Sequence, residues 1–123
     1  MMRIKKRILS KPFRDLIKKS KYGNKKTIVD GINFSSKGEA RRYLQLKLLE
    51  RSGHSKNMQL QVRYHIVING LKVCTYIADF VYFSIADGIT IVEDFKGMRT
   101  PVYKLKKKLM KSVLGIDIFE TSP

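Results

Sequence analysis

Residues 90–100 read TIVEDFKGMRT. Ile91, Val92 and Phe95 mark a β-strand, yet Glu93, Asp94 and Lys96 are set among them. Buried charges are costly unless they are paired, and a strand that only packs has no use for them. Side chains alternate across a strand. Val92, Asp94 and Lys96 therefore share one face, and Ile91, Glu93 and Phe95 the other. Upstream, LKVCTYIADFVYFS (71–84) sets Asp79 among apolar neighbours, and IADG (85–88) turns the chain back. In that strand Ile77, Asp79 and Val81 are expected on one face. Counting outward from the middle of the turn sets Asp94 opposite Asp79. Directly opposed residues lie about 5 Å apart on a common face.

The neighbouring segments complete a layered fold. MQLQVRYHIVI (58–68) alternates, with Leu60, Val62, Tyr64, Ile66 and Ile68 on one face, and Asn69-Gly70 is a two-residue hairpin signal. Three consecutive antiparallel strands result. SSKGEARRYLQLKLLERSG (35–53) reads as a helix: Ser36 and Glu39 match a capping box, Ala40, Tyr43, Leu44 and Leu48 form an apolar stripe, and Gly53 follows the last turn. A second helix opens at Thr100-Pro101 and ends at Gly115. Its Val102, Leu105, Leu109 and Val113 are expected inward and its lysines outward. IDIFET (116–121) supplies a last strand. The order α, β, β, β, α, β predicts an α/β domain with a mixed central sheet flanked by helices, over residues 27–123. Within it, KTIVDGINFSS (26–36) opens with an extended segment or hairpin turning at Asp30-Gly31. Residues 1–26 read as a basic arm, flexible or weakly helical, with a short helix an option around FRDLIKKS (13–20).

Composition narrows the function. The 123 residues suit one domain, and 43% are hydrophobic, enough for a core. No apolar run approaches a membrane span, and the basic N-terminus lacks the apolar segment of a secretory signal. The single cysteine, Cys74, excludes an intramolecular disulfide and a cysteine-only metal site; it reads as a small core residue. His54 and His65 are unrelated in position, against a zinc site. Lys and Arg number 26 against 10 Asp and Glu, a formal charge of +16. Such a chain seeks a polyanion, nucleic acid first and an acidic membrane second. A ribosome-associated protein, or a basic surface with no specific ligand, is the plainer alternative.

Two carboxylates held together repel, and a divalent cation accounts for tolerating them. Mg²⁺ takes hard oxygen ligands, commonly one or two carboxylates with water and substrate phosphate. A lysine beside it can position a water or offset transition-state charge. Asp79, with Asp94-Phe95-Lys96 on the next strand, resembles the signature of the PD-(D/E)XK nuclease superfamily, with Ala78 where the motif's name has proline. The element order resembles that superfamily's common core. From Phe34 onward the chain also resembles small phage-encoded members likened to Holliday-junction resolvases.

The resemblance implies a restriction-endonuclease-like αβββαβ core and Mg²⁺- or Mn²⁺-dependent hydrolysis of DNA phosphodiesters. Glu39, Asp79 and Asp94 would be metal ligands and, with Lys96, the catalytic set. It further implies a branched DNA substrate, a homodimer, and the cytoplasm of a bacterial host. Plainer readings stand beside these. On the first of them Glu39 serves only the capping box. Asp94 and Lys96 suit an ion pair on an exposed sheet. Glu93 reads as structural or as a salt-bridge partner, and Gln61 as touching the site or as a polar side chain facing solvent. Lys104, Lys106, Lys107, Lys108 and Lys111 lack intervening acids, a repulsion that phosphates would relieve. Arg99 and Thr100 precede a helix N-terminus, where anions bind. The expected DNA contacts are Arg41, Arg42, Arg99, Thr100, Lys104, Lys107, Lys108 and Lys111. A non-catalytic nucleic-acid binder, or a nuclease subunit of a larger recombination complex, is the alternative.

Overall fold

The computed structural model describes residues 26–122 together with the backbone of Lys18–Lys19. The chain divides into two units, Met1–Ser52 and Gly53–Pro123. The remainder of the expected basic arm lies outside the described residues. Lys18–Lys19, inside the optional helix at 13–20, pair instead as a strand.

In the first unit, strands β1 (Lys18–Lys19), β2 (Thr27–Val29) and β3 (Ile32–Phe34) pair antiparallel in that order. Asp30 and Gly31 join β2 to β3 with φ of 52° and 74°. Two successive positive φ values make the type I′ turn that matches strand twist. Helix α1 (Lys37–Arg51) packs on β2 and β3. Ser36 is its N-cap, the Oγ accepting the Glu39 amide at 3.1 Å. Ala40, Tyr43 and Leu44 of the expected stripe are buried, as is Leu46, which the stripe omitted. The Phe34 and Tyr43 rings meet at 5.1 Å, and the Tyr43 hydroxyl donates to Asp30 Oδ2 at 3.0 Å. Burial first, then Asp30, raises Tyr43 to about 12.

The second unit holds β4 (Ser55–Ile68), β5 (Leu71–Ser84), β6 (Ile89–Phe95), helix α2 (Pro101–Leu114) and β7 (Ile118–Thr121). The sheet order is β4-β5-β6-β7; β6 and β7 run parallel and the other pairs antiparallel, so the sheet is mixed. With α1 ahead of it, the chain has the expected α/β class and element order. Ile66, Tyr76, Ala78, Val81, Val92, Tyr103, Met110 and Ile118 form the core between sheet and α2. Cys74 packs against its edge, as a small core residue does.

Two expectations are corrected. Ile77 is exposed while Ala78 and Val81 both enter the core. The inward parity of β5 thus changes between Ala78 and Val81, and Asp79 sits at the change. On α2, Val102 and Leu105 are 62% and 58% exposed and Val113 is exposed too, whereas Tyr103 and Met110 are buried. The helix is turned so that Tyr103 reaches the Tyr76 ring at 6.5 Å and Lys106 Nζ donates to the Thr75 carbonyl at 3.0 Å. Lysine stems can lie along apolar surface with only the head exposed, so the lysines do not all mark the outer face. Among the described residues no helix is long and apolar enough to cross a membrane.

Candidate functional site

Strands β5 and β6 pair with Val81 opposite Val92 and Phe80 opposite Glu93. One further step on that register brings Asp79 to Asp94, as the turn count requires. There the backbone ladder gives way to a side chain: the Phe95 amide donates to Asp79 Oδ2 at 2.9 Å. Gln61 Nε2, on β4, donates to Asp79 Oδ1 at 3.3 Å. Gln61, itself exposed, thus contacts Asp79.

Asp94 lies on the α2 face of the sheet and is buried. Its Oδ2 accepts the Tyr76 hydroxyl at 2.5 Å, and Lys96 Nζ stands 3.3 Å from Oδ1. Burial, then the Asp94 carboxylate, pushes the Tyr76 hydroxyl far above the usual tyrosine range, so it remains a donor at any physiological pH. Lys96 Nζ also lies 4.1 Å above the centre of the Tyr103 ring, a cation–π distance. The ammonium is thus held between a carboxylate and an aromatic face, on the segment that leads into α2.

Glu120 completes this face. In the parallel ladder it lies opposite Asp94. Its carboxylate accepts the Tyr103 hydroxyl at 2.5 Å, Arg99 Nη2 at 2.5 Å and Lys107 Nζ at 3.0 Å. Tyr103 first, then Lys107 and Arg99, outweigh burial and hold Glu120 at about 2. Arg99 and Lys107, expected to meet phosphate, are therefore partnered by Glu120. Lys111, also expected there, pairs with Asp117 at 2.7 Å. Lys104 and Lys108 are exposed, as expected. Thr100 serves as N-cap, its Oγ1 accepting the Tyr103 amide at 3.1 Å.

Glu93 points to the opposite face and is fully buried. It accepts the Tyr82 hydroxyl at 2.7 Å and the Thr121 hydroxyl at 3.0 Å. Two hydroxyl donors thus hold its carboxylate. In the first unit Glu39 is buried at the start of α1, with Oε1 accepting the Ser35 hydroxyl at 2.6 Å. Arg41 is exposed, but Arg42, expected to contact DNA, is only 4% exposed and donates to Gln45 Oε1 at 3.2 Å. Beside the exposed Arg41 it reads as one of a basic pair, and nothing in the sequence marks its burial.

Among the described residues, no three His, Cys, Asp or Glu side chains gather as a group that could hold a metal ion. What the fold does bring together is Asp79, Asp94 and Lys96, with Gln61, Tyr76, Tyr103 and Glu120 around them. Tyr76 and Glu120 escaped sequence reasoning for distinct reasons. Tyr76 reads as one more aromatic in a strand. Glu120 depends on the register of a parallel pair, which no turn fixes.

No curated protein and no solved structure matches the chain. A family model described as "Protein of unknown function (DUF1064)" matches residues 19–115, and the chain belongs to that family.

Proposed function

We propose that this protein is a metal-dependent DNA endonuclease, structure-selective for branched DNA. The observation that carries the reading is the β5–β6 register, which brings Asp79 to Asp94 with Lys96 Nζ 3.3 Å from the latter. The donor set is chemically suited to Mg²⁺ or Mn²⁺: hard carboxylate oxygens, with water and phosphate to complete the sphere. Asp79 and Asp94 would hold the cation, which when bound would activate water and polarise the phosphodiester. The Phe95 amide and the Tyr76 hydroxyl orient the two carboxylates. Lys96 places a positive charge where negative charge develops on the phosphate. The formal +16 draws the polyanion, and backbone contacts hold it without reading bases.

One observation favours a second reading, a non-catalytic nucleic-acid binder. Both acids are engaged by protein donors, and Asp94 is buried. A cleavage assay on linear, single-stranded, flapped and four-way DNA with Mg²⁺ or Mn²⁺ decides between them. Cleavage should occur, and Asp79→Asn and Asp94→Asn should each abolish it while retaining or tightening DNA binding. Full activity in either variant removes the assigned site. Binding without cleavage by the wild type under every condition, together with no Mg²⁺ or Mn²⁺ binding that depends on Asp79 and Asp94, establishes the binder.

A further inference from the structure

The β4–β5 hairpin reaches well past its partner β6, whose ladder on β5 covers only Phe80–Ser84. At its end Asn69 and Gly70 form a two-residue turn with φ of 50° and 79°. Such a type I′ turn is tight and matches strand twist, so the tip is stiff. The tip is also apolar on the outside. Leu71 is 73% exposed and Val73 52%, and Val67 and Ile68 are exposed with them. Ile68 pairs directly with Leu71 across the turn, so these two project together on one face. Val67 pairs with Lys72 while Ile66 pairs with Cys74, leaving Val73 as the extra residue of a bulge.

Charge identifies the occupant. From Arg51 to Ala78 the sequence holds no Asp or Glu, while Lys56, Arg63 and Lys72 are exposed along the hairpin. A stiff apolar tip on an acid-free cationic arm complements a polyanion that has apolar faces within it, which is stacked nucleic-acid bases. Proteins that deform DNA insert Leu, Ile or Met side chains between base steps, with basic residues holding the flanking phosphates.

We propose that the hairpin tip is a wedge, with Ile68 and Leu71 entering a base step and Lys72 and Arg63 holding the backbone on either side. The proposal extends the nuclease reading to the mode of substrate recognition. It also supplies a measure. Leu71 and Asp79 lie on the same strand, about 26 Å apart at ~3.3 Å per residue. At ~3.4 Å per base pair of duplex, incision would fall about eight base pairs from the unstacked step. Branch points, where stacking is already interrupted, would accept the wedge at the lowest cost.

The test uses the full chain in metal-free buffer, so that it does not depend on cleavage. DNA carrying 2-aminopurine at a junction branch point, or within linear duplex, reports unstacking by fluorescence. Wild-type protein should raise the signal several-fold at saturation, most at the branch point. Ile68→Ser/Leu71→Ser, compared at its own saturating concentration, should melt at an unchanged temperature since both side chains are exposed, and give no rise. No rise with wild type, or an undiminished rise with the double variant, overturns the wedge. Binding of wild type but not the variant to phosphatidylglycerol-containing vesicles, with no DNA signal, would assign the tip to a lipid surface and overturn it as well. Unstacking without cleavage in Mg²⁺ or Mn²⁺ would leave the wedge standing and remove the nuclease reading.

Discussion

At the residue scale, the side chains that surround Asp94 define what each charge does. Lys96 contacts Asp94 at 3.3 Å and the Tyr103 ring at 4.1 Å, and it is more exposed than the carboxylate it meets. Only the lysine end of this pair reaches water, and the Tyr76 hydroxyl still holds Asp94 when the lysine is removed, whereas a charge aimed at a developing anion changes rate on the order of 10²-fold or more. Lys96→Ala should therefore lose single-turnover cleavage by that order while melting close to wild type and keeping most of its DNA affinity. A large drop in melting temperature would make the residue a structural partner of Asp94. Glu120 makes the opposite kind of contribution. Its ordinary value of 4.5 is lowered to about 2 by Tyr103, Lys107 and Arg99. A depressed carboxylate stabilises the fold fully above its unfolded value and loses that contribution as pH falls towards its folded one. The melting-temperature gap between wild type and Glu120→Gln should thus be full at pH 6 and narrow progressively below about pH 4.5. A gap constant down to pH 3 would show that the carboxylate charge is not what holds Arg99 and Lys107.

At the element scale, legibility followed locality. Both type I′ turns were visible because Asp30-Gly31 and Asn69-Gly70 need positive φ, which few residues supply. The β5–β6 register followed from its short turn, so Asp79 and Asp94 could be matched by counting. The caps at Ser36 and Thr100 were visible because their partners lie three residues away. The inward face of α2 was not legible. Val102, Leu105, Leu109 and Val113 make a regular stripe, but Tyr103 and Met110 are the buried pair, and only the position of Tyr76 and Glu120 across the sheet decides this. The change of parity at Asp79 was hidden for the same reason, since it depends on β4 and β6 together. The orientation of α2 also redistributes its charges. Lys107 and Lys111 have carboxylate partners, while Lys104 and Lys108 are exposed, with no carboxylate of the described residues within ion-pair distance. Lys104→Ala/Lys108→Ala should flatten log K against log salt on duplex DNA by up to about 1.8, at ~0.9 per phosphate contact. Lys107→Ala should flatten it less, because Glu120 competes for that ammonium. An unchanged slope in the double variant would place the DNA on other basic surfaces.

At the scale of the whole molecule, the distribution of charge and the small size of each unit bear on the substrate. The acid-free run of 51–78 and the acid-free helix α2 both belong to the second unit, which also holds Asp79, Asp94 and Lys96. Cationic surface on two separate elements suits several backbone segments better than a single groove, which favours a branch over a linear duplex. One chain presents a single pair of carboxylates from β5 and β6. Symmetric incision of a four-way junction needs two such pairs at a fixed separation, which a two-fold homodimer supplies. The chain should accordingly scatter light with the mass of a dimer, and unlabelled four-way junction should displace labelled junction at lower concentration than linear duplex of equal length. At higher salt both affinities should fall steeply, since both rest on phosphate contacts, while the preference for the junction should persist if it comes from geometry. A monomer from which linear duplex displaces junction as readily as junction itself would remove the paired-incision reading. The Asp79–Asp94 pair would then belong to a nuclease without branch selectivity, or to one subunit of a larger recombination complex.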